Sequence, residues 1–125
     1  MVETELRDLI AKIQQVKCET QSLELKAAHE GCPKRLYDTL SAFSNQDCGG
    51  IIVFGIDETQ DYRIVGVYDV QELQKRVNEQ CKQMIPLVRP VFTCITTKQG
   101  SIVSAEIPGI DLAERPCYYS GVGRT

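Results

Sequence analysis

An apolar segment that follows two glycines constrains the fold more than any other part of this sequence. Gly49 and Gly50 precede the apolar residues 51–56, and the carboxylates Asp57 and Glu58 end the run. Such a short, continuous apolar run predicts a strand that is buried on both faces. The paired glycines predict a turn before this strand. Asp57 lies where the strand emerges, in a position to face a ligand.

Helical periodicity occurs in three other segments of the chain. Thr4 is a suitable cap for the first helix, and Pro33 suits the first turn of the second. Asp69 with Glu72 has the form of a capping box for the third helix, which Pro86 should end. The apolar positions of the three helices are Leu6, Leu9, Ile10, Ile13 and Val16; Leu36, Tyr37, Leu40 and Phe43; and Val70, Leu73, Val77, Cys81 and Met84.

Four further segments have the pattern expected of strands. Residues 19–26 form a short alternating stretch, and residues 62–67 follow a predicted hairpin loop at residues 57–61. Residues 91–97 and 101–107 flank a tight Gln-Gly turn and predict a second hairpin. This order of elements predicts an α+β domain with a mixed, largely antiparallel sheet and about three packed helices.

The composition fits one globular domain, residues 1–125, in which 42% of the residues are hydrophobic and 25% are charged. No segment is apolar enough to span a bilayer, and the first residues lack the pattern of a signal peptide. The six cysteines show no CxxC spacing, which predicts reduced thiols in a cytoplasmic protein. A zinc site from His29 and Cys32 with Cys18 or Cys48 is only weakly indicated, because the spacing is irregular. The glycine-rich end of the sequence suggests an N-terminal fragment of a longer protein.

Three carboxylates form the first candidate site. If residues 23–26 are a strand, Glu24 and Lys26 point to one face, and Glu19 and Asp57 would complete an acidic cluster. Such a cluster could bind Mg²⁺ or Mn²⁺ through its oxygens and activate water, while the lysine stabilises negative charge. The alternative is that these residues are solvated surface charges.

Two further candidate sites would contact nucleic acid. Asn45, Gly49 and Gly50 lie on a loop whose amides could approach a phosphate, although a tight turn before a buried strand also explains them. Lys34 and Arg35, at the expected start of the second helix, would add positive charge. The other members of this basic face are Lys26, Lys82, Arg89, Arg115 and Arg124, and Tyr118 and Tyr119 are placed to stack on bases. Scattered surface charge is the alternative, and the net charge of −3 argues mildly against a large nucleic-acid surface.

Several of these segments together resemble the Schlafen–AlbA domain family. The resemblance covers residues 5–125, and it depends on the order and spacing of the motifs rather than on any one of them. It implies an α+β fold. The motifs are Glu19-x-x-x-x-Glu24-Leu-Lys26, Ser41-Ala-Phe-Ser-Asn45, Gly49-Gly-Ile-Ile-Val-Phe-Gly-Ile-Asp57, Ile64-Val-Gly66, Ile85-Pro86 and Arg115-Pro-Cys-Tyr-Tyr119.

The resemblance implies a nucleic-acid partner. In bacteria and archaea the family is associated with DNA binding, at the N-terminus of transcriptional regulators and of proteins related to RecG helicase. Some members are described as ATPase-like, which would add ATP binding. The family pattern continues with an aromatic-x-Arg-x-Gly strand and then with C-terminal domains. Because this sequence stops before that strand, a sheet edge could stay open to a partner.

The resemblance also implies a catalytic alternative. Schlafen proteins that cleave tRNA and rRNA use two glutamates five residues apart and an aspartate after the Gly-Gly strand, and Glu19, Glu24 and Asp57 match these positions. Those enzymes build their cleft from two lobes of one chain. A homodimer would have to supply the second lobe here.

Three hypotheses therefore stay open. The first and leading one is a nucleic-acid-binding module of a bacterial transcriptional regulator or RecG-related protein, which would bind DNA rather than RNA, through its phosphates. The second is a metal-dependent endoribonuclease that uses the three carboxylates. The third is a nucleotide-responsive or protein-interaction domain, which the negative net charge favours. Binding contacts under the first hypothesis would come from Lys26, Lys34, Arg35, Asn45, Gly49 and Gly50.

Overall fold

The computed structural model of the protein describes residues 1–121. The helices are α1 (Glu3–Val16), α2 (Tyr37–Ser44) and α3 (Val70–Lys82). The strands are β1 (Leu23–Lys26), β2 (Gly50–Phe54), β3 (Ile56–Asp57), β4 (Arg63–Ile64), β5 (Met84–Ile85), β6 (Val91–Thr97), β7 (Gly100–Ile107) and β8 (Tyr118–Tyr119). The main sheet has the order β1-β2-β7-β6, and the short strands pair as β3 with β4 and β5 with β8.

The pairing directions confirm the predicted fold class. Within the main sheet β1 and β2 run parallel, whereas β2 with β7 and β7 with β6 run antiparallel. With three helices packed on this sheet, the domain is α+β with a mixed, largely antiparallel sheet.

β2 is buried on both faces, as its apolar run predicts. Ile52, Val53 and Phe54 are 0% exposed. Because side chains alternate along a strand, Ile52 and Phe54 contact the core beneath α2 and α3, whereas Val53 contacts the core beneath α1. Helices therefore cover both faces of the sheet.

The two glycines before β2 are required by close packing. Gly49 has a φ of +65°, and a Cβ there would lie 2.0 Å from the Ile107 carbonyl oxygen. A Cβ on Gly50 would lie 2.4 Å from the ring of Phe43. The predicted turn is confirmed, and its glycines allow α2 and β7 to approach the start of β2.

The two N-terminal helices begin differently from the prediction. Thr4 is not the cap of α1, because the helix begins at Glu3 and the Glu5 carboxylate accepts a hydrogen bond from the Val2 N–H (2.9 Å). Pro33 is not in the first turn of α2, which begins four residues later, at Tyr37.

The late start of α2 has a tertiary cause. The Gln80 side chain of α3 accepts a hydrogen bond from the Leu36 N–H (2.7 Å) and donates one to the Pro33 carbonyl (2.8 Å). Gln80 is only 8% exposed. This buried amide holds the preceding segment as a loop, so Lys34 and Arg35 lie before the helix and not within it.

The third helix begins as predicted. The Asp69 carboxylate accepts a hydrogen bond from the Glu72 N–H (3.0 Å). The helix ends at Lys82, earlier than expected, and Met84 belongs to β5. Pro86 therefore follows the helix without ending it.

Three predicted strands are shorter or divided. The run of residues 51–56 breaks at Gly55, which has a φ of +112° and whose carbonyl accepts hydrogen bonds from Val65 and Gly66. This break sends the chain into the β3–β4 hairpin. The predicted strand at residues 62–67 therefore has only two residues. The predicted strand at residues 19–26 is limited to β1, because a turn precedes it.

Other predictions agree with the structure. β6 and β7 form the predicted hairpin with continuous register. All six cysteines are unpaired. Among residues 1–121, no helix is both long and apolar enough to cross a membrane.

Candidate nucleic-acid interface

The candidate acids Glu19 and Glu24 both lie at β1, the edge strand of the main sheet. Glu24 and Lys26 point to the same face, as the alternation predicts, and form an ion pair of 3.4 Å. The Glu19 carboxylate accepts a hydrogen bond from the Leu25 N–H (2.7 Å). Glu19 thereby satisfies an edge donor of β1, and Glu24 neutralises Lys26.

The third acid, Asp57, is bound within its own loop. Its carboxylate accepts hydrogen bonds from the Thr59 N–H (2.9 Å), the Thr59 hydroxyl (2.6 Å) and the Gln60 side chain (2.7 Å). These hydrogen bonds, first those from the side chains of Thr59 and Gln60, lower the pKa of Asp57. The aspartate thus caps the short turn that follows β3.

The three acids therefore do not form the expected metal site. Residues 1–121 contain no group of three His, Cys, Asp or Glu side chains that could hold a metal ion. The same observation applies to the zinc site expected from His29 and Cys32. In this structure each of the three acids is directed to a different partner within the protein.

The proposed phosphate loop is occupied by internal hydrogen bonds. The Asn45 side chain donates to the Cys117 carbonyl (3.1 Å) and accepts from the Cys117 N–H (2.8 Å). The Gly49 N–H donates to the Gln46 carbonyl (3.2 Å), and both glycines are buried. Asn45 therefore attaches the C-terminal segment to the end of α2.

A second region, which we call the tyrosine surface, consists of Lys34, Arg35, Tyr37 and Tyr119. The rings of Tyr37 and Tyr119 stack with centroids 3.7 Å apart and an interplanar angle of 18°. Tyr118 pairs with Ile85 across β8 and β5, is 42% exposed, and as the strand neighbour of Tyr119 points to the opposite face. Lys34 and Arg35 are exposed and form no ion pair with any residue of the described range.

Electrostatics and hydrogen bonding connect these residues. The Tyr37 hydroxyl donates to the Gln83 side chain (3.1 Å). Burial is the main cause that raises the pKa of Tyr37, and a hydrogen bond with Tyr119 adds to it, whereas nearby Arg35 acts in the opposite direction. Arg35 lies two residues before Tyr37 in the chain. Sequence reasoning assigned Tyr37 only to an apolar helix face, because its stacking partner lies far along the chain.

A cleft of about 550 Å³ adjoins the tyrosine surface. Lys34, Tyr37 and the exposed Tyr68 line it, together with an Arg76–Glu72 ion pair of 2.7 Å. Its remaining lining residues are Glu30, Gly31, Cys32, Pro33, Glu79, Gln80 and Gln83. The cleft is aromatic and of mixed charge, which is unlike the strongly basic groove of a protein that binds duplex DNA.

The other cations of the predicted basic face are dispersed. Arg115 donates to the Asp47 carboxylate (2.9 Å) and to the Ile110 carbonyl, so it stabilises the C-terminal segment. Lys82 and Arg89 are exposed. Arg124 lies outside the described residues.

Comparisons with known proteins agree with this fold. No curated protein matches the sequence. The structure is similar to the N-terminal domain of a RecG-related protein from Nitrosomonas europaea, with 24% identity and a TM-score of 0.74 over 90% of this chain and 78% of that one. It is also similar to the DIP2311 protein from Corynebacterium diphtheriae, with 15% identity and a TM-score of 0.55, over 95% of this chain and 25% of that one. The sequence model of the family described as Schlafen, AlbA_2 matches residues 19–121, and the chain therefore belongs to that family.

Proposed function

We propose that this domain binds nucleic acid, specifically single-stranded DNA, at the tyrosine surface. The observation that carries the proposal is the position of two exposed cations without ion-pair partners, Lys34 and Arg35, beside the stacked Tyr37–Tyr119 pair. Cations of this kind contact phosphates, and aromatic rings provide platforms for unpaired bases.

The geometry of the tyrosines favours stacking as the main source of affinity. The hydrogen bond between Tyr37 and Gln83 fixes the first ring, and the second packs against it. Stacking on such rings contributes about 1–3 kcal/mol per base and tolerates any sequence.

The charge distribution favours a single strand over a duplex. The net charge is −3, and Glu30 and Glu79 line the cleft next to Lys34. Few phosphates can therefore be neutralised, whereas duplex binding depends mainly on phosphate contacts. DNA is the first candidate because a structural neighbour belongs to a protein whose name relates it to the ATP-dependent DNA helicase RecG.

Fluorescence anisotropy with a labelled oligodeoxynucleotide tests the proposal. We expect the single strand to bind more tightly than its duplex. The logarithm of the affinity should fall with the logarithm of salt concentration with a slope of about −1.4, since two cations contribute about −0.7 each on single strands. An RNA oligonucleotide of the same sequence measures the preference for DNA.

Two variants locate the site, and one serves as control. Tyr37→Ala should weaken binding at every salt concentration with an unchanged slope, because it removes a stacking ring that lines the cleft and removes no charge. The double variant of Lys34 and Arg35 to alanine should reduce the slope. Lys12→Ala removes an exposed cation from α1, on the opposite side of the sheet, and should leave binding unchanged. Undetectable binding at low salt, or equal losses in all three variants, would contradict the proposal.

A further inference from the structure

The two edges of the main sheet differ in how their backbone groups are satisfied. At β1 the Leu25 N–H donates to Glu19 and the Leu23 N–H donates to the Thr20 carbonyl (3.3 Å). The opposite edge is β6, which among residues 1–121 pairs with β7 on one side and with no strand on the other. An edge strand with free backbone groups is a template for another strand.

The hydrogen bonds around β7 show which residues of β6 face outward. The Ser101 carbonyl accepts a bond from the Val67 N–H (2.8 Å), so it points away from β6. The backbone N–H and carbonyl of its partner Thr96 therefore point away from β7, since the backbone groups of an antiparallel pair alternate in direction. By the same alternation, the backbone N–H and carbonyl groups of Phe92 and Cys94 also point outward from the sheet edge. The Thr96 carbonyl confirms this direction, because it accepts a long bond from the exposed Arg7 guanidinium (3.4 Å).

The edge of β6 carries few of the features that normally prevent strand addition. Its seven residues contain no proline, glycine or charged residue. Its register with β7 is continuous over residues 91–97, without a bulge. Protected edges usually carry lysine, proline or a bulge within the strand.

We propose that a second copy of this chain pairs antiparallel with β6 and joins two main sheets into one. The two-fold axis passes Cys94, which lies opposite Cys94 of the second copy. Phe92 then lies opposite Thr96 of the second copy. This register matches outward-facing groups with outward-facing groups and pairs all seven residues of the strand.

The same register places an exposed apolar side chain at an apolar groove. Val91 is 56% exposed and would lie opposite Thr97 of the second copy. Thr97 lines a groove of about 200 Å³ between α1 and β6, together with Arg7, Ile10, Ala11, Gln14 and Ile95. Val91 and the groove face the same side of the sheet, because Val91, Ile95 and Thr97 are at alternate positions. The surface is therefore complementary to itself.

Sedimentation equilibrium over a concentration range of about 1 to about 500 μM measures this association. We expect the mass of the 125-residue chain to rise from monomer to dimer. Val91→Lys should keep the protein monomeric, because it places a charge in the apolar groove. Val16→Lys is the matched control. Val16 is almost as exposed as Val91 (55%), but it is the last residue of α1 and does not line the groove. A monomer throughout the range, or equal effects of both variants, would overturn the proposal.

Amide hydrogen exchange tests the register independently of any variant. The amides of Phe92, Cys94 and Thr96 should exchange quickly in dilute protein and slowly in concentrated protein. The amides of Thr93 and Ile95 face β7 and should be slow at both concentrations, which provides an internal control. If a dimer forms while the outward amides stay fast, the copies associate elsewhere and the proposed interface is wrong.

Discussion

The signature region and the tyrosine surface differ in what their polar groups do. We define the signature region by Glu19, Glu24, Asn45, Gly49 and Asp57. In this region the three acids and Asn45 bind partners within the protein, and Gly49 allows two backbones to approach. On the tyrosine surface, Lys34 and Arg35 have no ion-pair partner among residues 1–121.

The difference teaches that polar residues of a family motif can serve the fold, while the exposed cations Lys34 and Arg35 lie outside the motif residues. The motif residues are explained by the requirements of folding: an edge donor is satisfied, a turn is capped and the C-terminal segment is attached to α2. If this comparison is correct, substitutions in the signature region reduce stability. Substitutions of Lys34 and Arg35 on the tyrosine surface reduce binding and leave stability unchanged.

Gly49→Ala should have the largest effect on stability. The added Cβ would lie 2.0 Å from a backbone oxygen of Ile107, which cannot move without displacing β7, and the φ of +65° is itself unfavourable for alanine. We expect a loss of about 3 kcal/mol or more in the free energy of unfolding, measured by urea denaturation. Gly31→Ala is the control, because Gly31 also has a positive φ but has nothing within 4 Å of the new Cβ. Similar losses in both variants would contradict the packing explanation.

Asn45→Ala should have the next largest effect. It leaves the Cys117 N–H without its partner, whereas the Cys117 carbonyl keeps the hydrogen bond from the Ser41 hydroxyl (2.8 Å), and Cys117 is 1% exposed. A loss of about 2 kcal/mol is expected for a buried group left unpaired. Asn78→Ala, on the exposed side of α3, should change stability little. If Asn45→Ala were as stable as the wild type, Asn45 would be available for a ligand after all.

Glu19→Ala should cost less, about 1 kcal/mol, because it removes one hydrogen bond at a sheet edge. Glu19→Gln keeps an acceptor oxygen and should restore most of this loss in the same denaturation experiment. If both variants keep the full free energy of unfolding, the hydrogen bond between Glu19 and the edge of β1 does not contribute to stability. It would then favour the ligand role that the sequence predicted.

Sequence patterns predict the fold well where the spacing of the apolar residues matches the repeat of the helix or strand that they form. The alternation of β6 and β7 and the periodicity of α1 and α3 are realised in the structure. The start of α2 is not predictable in this way, because it depends on Gln80, which lies 44 residues from Leu36. The hydrogen bonds of this buried amide to Leu36 and Pro33 override the preference of proline for the first helical turn.

The candidate site is less predictable than the fold for the same physical reason. Lys34 and Arg35 are visible in the sequence as adjacent cations. The stacked rings of the tyrosine surface belong to α2 and β8. Only the tertiary structure brings Tyr37 into contact with Tyr119. Likewise, Glu19 and Glu24 have the spacing of a ligand pair, but spacing does not show that one of them is bound to the Leu25 N–H.

Asp57→Ala should have a smaller effect that depends on pH. Hydrogen bonds from Thr59 and Gln60 lower the pKa of Asp57 in the folded state. The carboxylate therefore contributes stability above the unfolded-state pKa of about 3.9. This contribution is lost as the pH falls through the lower, folded-state pKa. The difference in urea midpoint between wild type and variant should be present at neutral pH and should shrink on acidification. A difference that grows on acidification would contradict the sign of the pKa shift, and Asp8→Ala, at an exposed position of α1, serves as control.

The smallest effect on stability, together with a reduced salt dependence of binding, is expected for the double variant of Lys34 and Arg35 to alanine. Both side chains are exposed and form no ion pair in the described part of the chain, so the free energy of unfolding should change by less than about 0.5 kcal/mol. The salt dependence of single-strand binding should nevertheless decrease by about 0.7 per cation. Measuring both quantities on one preparation separates a binding role from a structural one. A loss of stability together with a loss of binding would mean that the tyrosine surface, like the signature region, serves mainly to hold the fold together.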